Sequence, residues 1–405
     1  MIRLIDMKCD LCLKDTSIEF LDLGNQPLAN KYPTAEMFAS EDFFPLKVLF
    51  CTNCKNVQLG TKVSRERMFE DYYYLSSVNP GLVRHFNEFA KTLTGAKFVV
   101  DVGSNDGILL KPLKEMGIKA VGVEPSINVG KIANDAGLET IISFFNKESV
   151  EEYKKKYGLA DVIVASSIFT HLEDPHQFIE DVKLGLTDDG AFIIEVEYIG
   201  NMIRDVQFER FYLDRIFYYS LSSLRDLFAL HGMYVGEVEM IEPHGGSLRV
   251  TGYKEGMGPG VSDAVKKFLA EEETSLTEER MREFSKTVDE YLTLFKTKLE
   301  EYKKDGVYVA GYGAPARVAT ICNYGKIGPD LIEFIVDDSP LKQNKYSPGT
   351  HIPIMPKSHL DGLEKKPDLL VVFAYEYFDD IKKKTKDNTQ HNYRYLIAIP
   401  PREVL

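Results

Sequence analysis

The sequence predicts an α/β protein in which a small cysteine-rich N-terminal unit precedes two doubly wound domains. Three observations carry this. Four of the five cysteines fall into two Cys-x-x-Cys pairs, Cys9/Cys12 and Cys51/Cys54. From residue 66 to about 255, apolar strand-like runs alternate with runs of helical spacing, a rhythm that places parallel strands beneath helices on both faces. After a charged helical stretch, the same rhythm begins again at VYVAGYGA.

Residues 1–65 read as short strands and loops that bury little core on their own, and a metal cross-link is the usual remedy for so small a unit. Two Cys-x-x-Cys turns about forty residues apart can offer four thiolates to one ion. In a reducing compartment this spacing points to metal rather than disulfides. Four thiolates fill the coordination sphere of Zn2+, so the predicted zinc is structural. Cys322 lies in the apolar run ATICNYG and reads as a small buried hydrophobe.

Residues 66–258 make the first α/β series. KFVVDVG is a strand run closed by glycine, GILLKPLKEMG has helical spacing, KAVGVEP is a second strand and SINVGKIANDAG a second helix. DVIVASS, DPHQFIEDVKLGL and GAFIIEVEY continue the alternation, and MYVGEVEMI with SLRVTGY reads as a strand pair at one end of the sheet. MGPG marks a break. Residues 259–405 follow as a Rossmann-like domain. They open with helix from Val261 to Lys304, with Phe268, Leu269, Phe284, Tyr291, Leu294, Phe295 and Leu299 as its apolar positions. ARVATICNYG is then a helix, and IEFIVDD, DLLVVFAY and YRYLIAIP are strands.

Composition bounds the partners. The 405 residues carry a formal charge of −13 and a pI near 5.3, which argues against a basic face and against nucleic acid. The longest apolar run, near Leu369–Ala374, is far short of the roughly 20 residues of a membrane span. Asp6, Lys8 and Asp10 interrupt any signal core at the start, so a cytoplasmic protein is expected.

VVDVGSNDGILL is the most informative stretch. A strand ends at Asp101, Gly103 turns the chain sharply, and Gly107 opens the next helix. The glycines do not form G-x-G-x-x-G. Asp101, Asn105 and Asp106 would repel a pyrophosphate but not a sulfonium cation with an amino-acid tail. Glu124 ends the second strand, twenty-one residues after Gly103, where a carboxylate can accept from both ribose hydroxyls. Glycine loop, acidic loop and spaced acid together predict S-adenosylmethionine (SAM). Ser166, near the end of DVIVASS, joins the expected cofactor set.

The chain resembles the SAM-dependent C-methyltransferases that act on nucleotide-linked keto-deoxysugars, the 3-C-methyltransferases of deoxysugar biosynthesis among them. The resemblance spans essentially the whole chain. Its carriers are the four paired cysteines, LGNQPLANKYP, YYYLSSVNPGLVRHF, VVDVGSNDGILLKPLKEMGIKAVGVEP, HGGSLR and GYGAPARVATICNYGKIGPDLIEFIVDDSPLKQNKYSPGTHIPI. It implies a zinc-binding N-terminal domain, a central class I methyltransferase domain and a Rossmann-like C-terminal domain. It implies that Gly103, Asn105, Asp106, Gly107, Glu124 and Pro125 surround SAM, and that Tyr74, His171 and Tyr212 line the sugar pocket. A nucleotide-diphosphate sugar would lie between the central and C-terminal domains. The chain departs from the family at one run. Where members carry Tyr-x-Glu-His, this sequence reads Tyr212-Leu213-Asp214-Arg215, so the position of the expected base histidine holds arginine.

C-methylation beside a ketone needs a base, a donor for the enolate oxygen and alignment with the methyl group. Asp214 could be the base if burial raises its pKa, an effect a nearby Arg215 opposes. Arg215 could instead steady the enolate or grip a phosphate, unless the two form a mere surface ion pair. His171, just past DVIVASS, and His244, in EPHGGS, are alternative bases. Two other functions fit the same residues: an O-methyltransferase with a histidine base, and a binding protein that has lost its base. In the C-terminal half, Gly311, Gly313 and Arg317 form a strand–glycine–helix start suited to phosphate. Asp337 is a strand-end cap or a relic of a ribose site, and Lys342 and Lys345 read as solvated.

Overall fold

The computed structural model describes residues 3–4, 8–64, 75–386 and 391–404. The N-terminal unit is built on β1 (Ser17–Pro27), β2 (Phe43–Cys51) and β3 (Val57–Leu59), paired antiparallel in sequence order. β1 and β2 are longer than the sequence suggests. β1 continues through register shifts at Glu19/Leu21 and Asp22/Asn25. Gly24 has φ +68°, and its N–H is taken by Asp22 Oδ1 at 2.8 Å. A glycine bulge thus bends the strand at residues that read as a loop.

The central sheet comprises β4 (Phe98–Val102), β5 (Lys119–Val123), β6 (Thr140–Ile141), β7 (Ala160–Ser166), β8 (Leu186–Glu197), β10 (Met233–Ile241) and β11 (Ser247–Lys254), with β9 (Phe217–Tyr218) outside it. Its order is β10-β11-β8-β7-β4-β5-β6. Pairs from β8 to β6 are parallel, while β11 runs antiparallel to both β8 and β10. β4 is wholly buried, as FVVDV predicts for a strand covered on both faces. The strand order reverses between the parallel strands β4 and β7, and the crevice at their carboxyl ends is where ligands bind in open α/β sheets. β9 leaves this domain and pairs with β3 of the N-terminal unit.

The helical stretch expected as one element of the C-terminal domain is two helices, and the first, α1 (Asp263–Ser275), packs on the central domain, with Val265 in its core and Glu272 accepting from Leu221 N and Ser222 N. In the C-terminal domain α2 (Glu278–Lys304) leads into β12 (Val309–Tyr312), α3 (Arg317–Gly325), β13 (Ile335–Val336), β14 (Lys345–Tyr346), β15 (Pro353–Met355), β16 (Leu369–Val372), β17 (Arg394–Ile397) and β18 (Arg402–Val404). The sheet order, β14-β15-β13-β12-β16-β17-β18, repeats the central reversal, here between β12 and β16. The buried stripe of α2 is Met281, Phe284, Val288, Leu292, Phe295 and Leu299, at helical spacing. Leu294 falls off that stripe and is exposed, and Tyr291 is only half-buried.

One core joins all three units. Phe20 from β1, Phe211 from the central domain and Phe284 from α2 meet edge to face, with centroids 6.0–6.3 Å apart. Burying such side chains is worth about 1.5–3 kcal/mol each. The N-terminal unit therefore draws its core from the other two domains as well as from the cysteines. Among the described residues, no helix is long and apolar enough to cross a membrane.

Candidate active site

The four paired cysteines converge. Their sulfurs all lie within 4.8 Å of one another, with Cys9–Cys54 and Cys12–Cys51 both at 3.6 Å. A tetrahedron of Zn–S bonds of about 2.3 Å demands nearly this spacing. The two turns are alike: Leu13 N donates to Cys9 O and Lys55 N to Cys51 O, each at 2.9 Å, and Leu13 and Lys55 both have φ +61°. Asn56 Nδ2 and Thr16 Oγ1 reach Cys9 Sγ and Cys51 Sγ at 3.7 and 3.1 Å, the outer-shell contacts thiolates take. All four sulfurs are buried, and the set leaves no position for substrate.

At the carboxyl end of β4, Gly103 has φ +71°, and a Cβ there would lie 2.4 Å from Ile168 Cγ2. Gly107 has φ +84°, and its Cβ would lie 2.4 Å from Leu138 Cδ1. Glycine is required at both for conformation and for space. Gly107 does not open the helix as the sequence suggests. Positive φ at Asn105 and Gly107 delays it to Leu110. Glu124 stands just past β5, its two oxygens accepting from Asn105 N (3.0 Å) and Ser126 N (2.8 Å). That fixes the carboxylate at the loop and leaves lone pairs for a diol. Exposed Pro125 follows it.

Asp101 is buried, and burial, with Glu124 and Glu195 nearby, raises its carboxyl to about 8. Asn105 and Asp106 are buried: Asn105 Oδ1 accepts from Ser76 N at 2.9 Å, and Asp106 Oδ2 accepts from Ser77 N and Oγ. Their side chains pin the turn Ser76–Val78 over the loop. Ser166 Oγ donates to Glu195 Oε2 at 3.0 Å. Glu195, a residue the sequence reading omits, also takes His85 Nε2 and Arg249 Nε. Burial alone would push Glu195 up, but His85 and Arg249 outweigh it and hold its pKa low. A glycine floor ringed by Asp101, Glu124 and Glu195 fits a cationic cofactor with a ribose and an ammonium tail.

A second cluster draws residues from all three units. His171 Nδ1 donates to the backbone carbonyl of Asp214 at 2.5 Å, the contact that sets Nε2 as the basic nitrogen. Asp214 is buried, and burial raises its pKa while Asn30 and Arg215 pull the other way. Asp214 and Arg215 do not form the surface pair considered from sequence. Arg215 turns instead to Glu197 and lies 5.1 Å from the ring of Tyr212. Asn30 Nδ2 bonds Asp214 Oδ2, and Tyr32 OH bonds Ala314 O of the C-terminal domain at 2.7 Å. Lys342, expected to be solvated, reaches that same carbonyl at 2.9 Å. Asp337 caps its strand, accepting from Ala314 N (2.7 Å) and Ser339 N (2.8 Å). Tyr74 and the side chain of His244 lie outside the described residues.

A buried charge ladder crosses this region. Glu197 binds both Arg215 and Arg210, Arg210 binds Glu376, and Glu376 binds Arg317. Of these residues, the sequence singles out only Arg215 and Arg317. A signal for Glu197 existed, since it ends the apolar strand run AFIIEVE at the ligand edge of the sheet.

Family models match the chain in series: a zinc binding domain over residues 9–69, a methyltransferase domain over 63–238 and a C-methyltransferase C-terminal domain over 242–400. The C-methyltransferase NovU of Streptomyces niveus is 31% identical over 413 residues, covering 100% of this chain and 98% of that protein. A ubiquinone biosynthesis O-methyltransferase of Glaesserella parasuis is 23% identical over 130 residues, 31% of this chain and 55% of that protein. The plantazolicin methyltransferase BpumL in complex with SAH is similar over 43% of this chain and 83% of its own, at 12% identity and a TM-score of 0.33.

Proposed function

Because the chain belongs to the SAM-dependent C-methyltransferases with an N-terminal zinc-binding domain, we propose that it methylates a carbon beside the ketone of a nucleotide-linked keto-deoxysugar. SAM supplies the methyl group as an electrophile. The protein must remove the α-proton, hold the resulting enolate and keep both reactants in line. The observation that carries the reading is the bond from His171 Nδ1 to Asp214 O, which makes Nε2 the proton acceptor. His171 is the base where arginine replaces the family's histidine. Arg215, held by Glu197 beside Tyr212, is the donor for the enolate oxygen. Asp214 sets the orientation of the imidazole through its carbonyl. Asp101 and Glu124 hold the ammonium and ribose ends of the cofactor, and Gly103 and Gly107 let the backbone approach it.

Solvent deuterium tests the reaction class. With S-adenosylhomocysteine bound and the keto-sugar nucleotide in D2O, deuterium is expected to enter the carbon next to the ketone, and His171→Asn is expected to stop it. A methylated hydroxyl with no exchange at carbon would instead make the enzyme an O-methyltransferase.

A further inference from the structure

We propose that Arg210 and Arg317 form the seat of the substrate's diphosphate, and that Glu376 occupies this seat until the substrate displaces it. The proposal rests on the nucleotide-linked reading above. It adds an anion site and a gate to it.

The two arginines come from different domains and converge on one oxygen. Arg210 Nη2 lies 2.5 Å from Glu376 Oε1, and Arg317 Nη2 lies 2.8 Å from the same atom. Both guanidiniums are largely shielded, at 8% and 14% side-chain exposure, whereas Glu376 is 29% exposed. The carboxylate thus sits on the open side of a buried cationic fork. A fork of this kind matches phosphate oxygens as well as it matches a carboxylate.

The cluster around the fork is unfinished. Arg317 is the first residue of α3, and no side chain caps that helix. Arg317 Nη1 makes no hydrogen bond among the described residues and lies 3.9 Å from Glu209 Oε1. Glu209 has no exposure, and its Oε2 has no partner among the described residues. Burial raises the pKa of Glu209, while Arg317, Tyr375 and Arg210 pull it back. Replacing Glu376 with a multivalent anion would satisfy the spare donor without emptying the fork. Tyr375, whose ring lies 4.7 Å from the Arg317 guanidinium, bonds Glu209 and can stay in place as Glu376 leaves.

The seat is also placed correctly. Arg210 Nη1 bonds Glu197 Oε1 at 3.0 Å, and Glu197 holds Arg215. One carboxylate therefore separates the anion fork from the donor assigned to the sugar's ketone.

The two roles of Glu376 predict opposite signs. A purely structural ladder loses stability when Glu376 is changed and gains no affinity for anions. A gate gains affinity. Calorimetry with inorganic pyrophosphate on the zinc-loaded full chain separates them. Glu376→Gln is expected to bind pyrophosphate roughly tenfold more tightly than wild type, and Arg317→Gln to abolish binding in either background. Equal or weaker binding by a folded Glu376→Gln, checked by its Tm, overturns the gate. If that variant fails to fold, Glu376→Asp, which shortens the reach to the fork, carries the same expectation and the same refutation. Inorganic phosphate binding as tightly as pyrophosphate overturns the diphosphate assignment. Turnover of a keto-sugar nucleotide with unchanged Glu376→Gln affinity refutes the gate and leaves the substrate reading standing. Tightened pyrophosphate binding without such turnover supports the anion seat and removes the sugar.

Discussion

Asn30 Nδ2 donates to Asp214 Oδ2 at 2.6 Å, joining the zinc-tied unit to the candidate active site across 184 positions of sequence. An N–H aimed at a carboxylate favours its ionised form. Asn30→Ala should therefore raise the pKa of Asp214 further, with zinc content unchanged. If ionised Asp214 is needed for turnover, the acid limb of the kcat profile moves to higher pH and kcat near neutrality falls by about tenfold, the scale of one charge-assisted bond. A pH profile that stays put would make Asn30 a packing residue.

Asp101 gives a second pH dependence. Its carboxyl is raised from an ordinary 3.8 to about 8, so the free protein holds it protonated at neutral pH. A cationic cofactor binds the ionised form. Affinity for SAM should rise as pH approaches 8, with a proton released on binding below that point. Titrations in two buffers of different ionisation heat measure that proton. The sign for stability is opposite. A raised folded pKa stabilises below 3.8, and that contribution is lost as pH climbs to about 8. Asp101→Asn should remove this loss, raise Tm near neutrality by a few degrees (~2–4 °C per kcal/mol) and weaken SAM binding.

Zinc removal should reach well beyond the knot. Phe20 and Asn30 belong to the unit the four cysteines tie together, and they touch the shared core and Asp214. Structural zinc is worth about 10–16 kcal/mol in small domains. Cys12→Ser should lower zinc below one per chain, reduce Tm by roughly 10 °C and reduce turnover together. Full activity in zinc-free protein would separate the two functions.

The parts of this site visible in the sequence are those whose partners lie close along the chain. Gly103, Gly107 and Glu124 belong to one β–α–β unit, and each cysteine pair spans a single turn. Both can be read from local spacing. Glu197, Arg210 and Glu376 could not be paired in advance, because Glu376 arrives from a different domain, 166 positions after Arg210. Asn30 lies in a motif that resembles the family yet carries no chemistry of its own until the fold sets it against Asp214. Asn105 and Asp106 also bond Ser76 and Ser77, a contact that local spacing does not encode.

The last prediction concerns Glu197, the carboxylate between Arg210 and Arg215. It is 6% exposed at its side chain and answers two guanidiniums. Removing one partner of a buried pair costs about 3–5 kcal/mol, because the other charge is left without an answer. Glu197→Gln should therefore lower Tm, and should also release Arg215 from beside Tyr212 and cut kcat by about a hundredfold, as loss of a preorganised donor does. The two effects can be separated. Adding Arg215→Met to Glu197→Gln removes one stranded cation, so stability should recover in part while kcat stays low. The coupling between the two sites in such a cycle should be clearly favourable for stability. If Glu197→Gln leaves kcat intact, Arg215 does not depend on Glu197 for its place, and the donor assigned to the enolate must be sought elsewhere in the cluster.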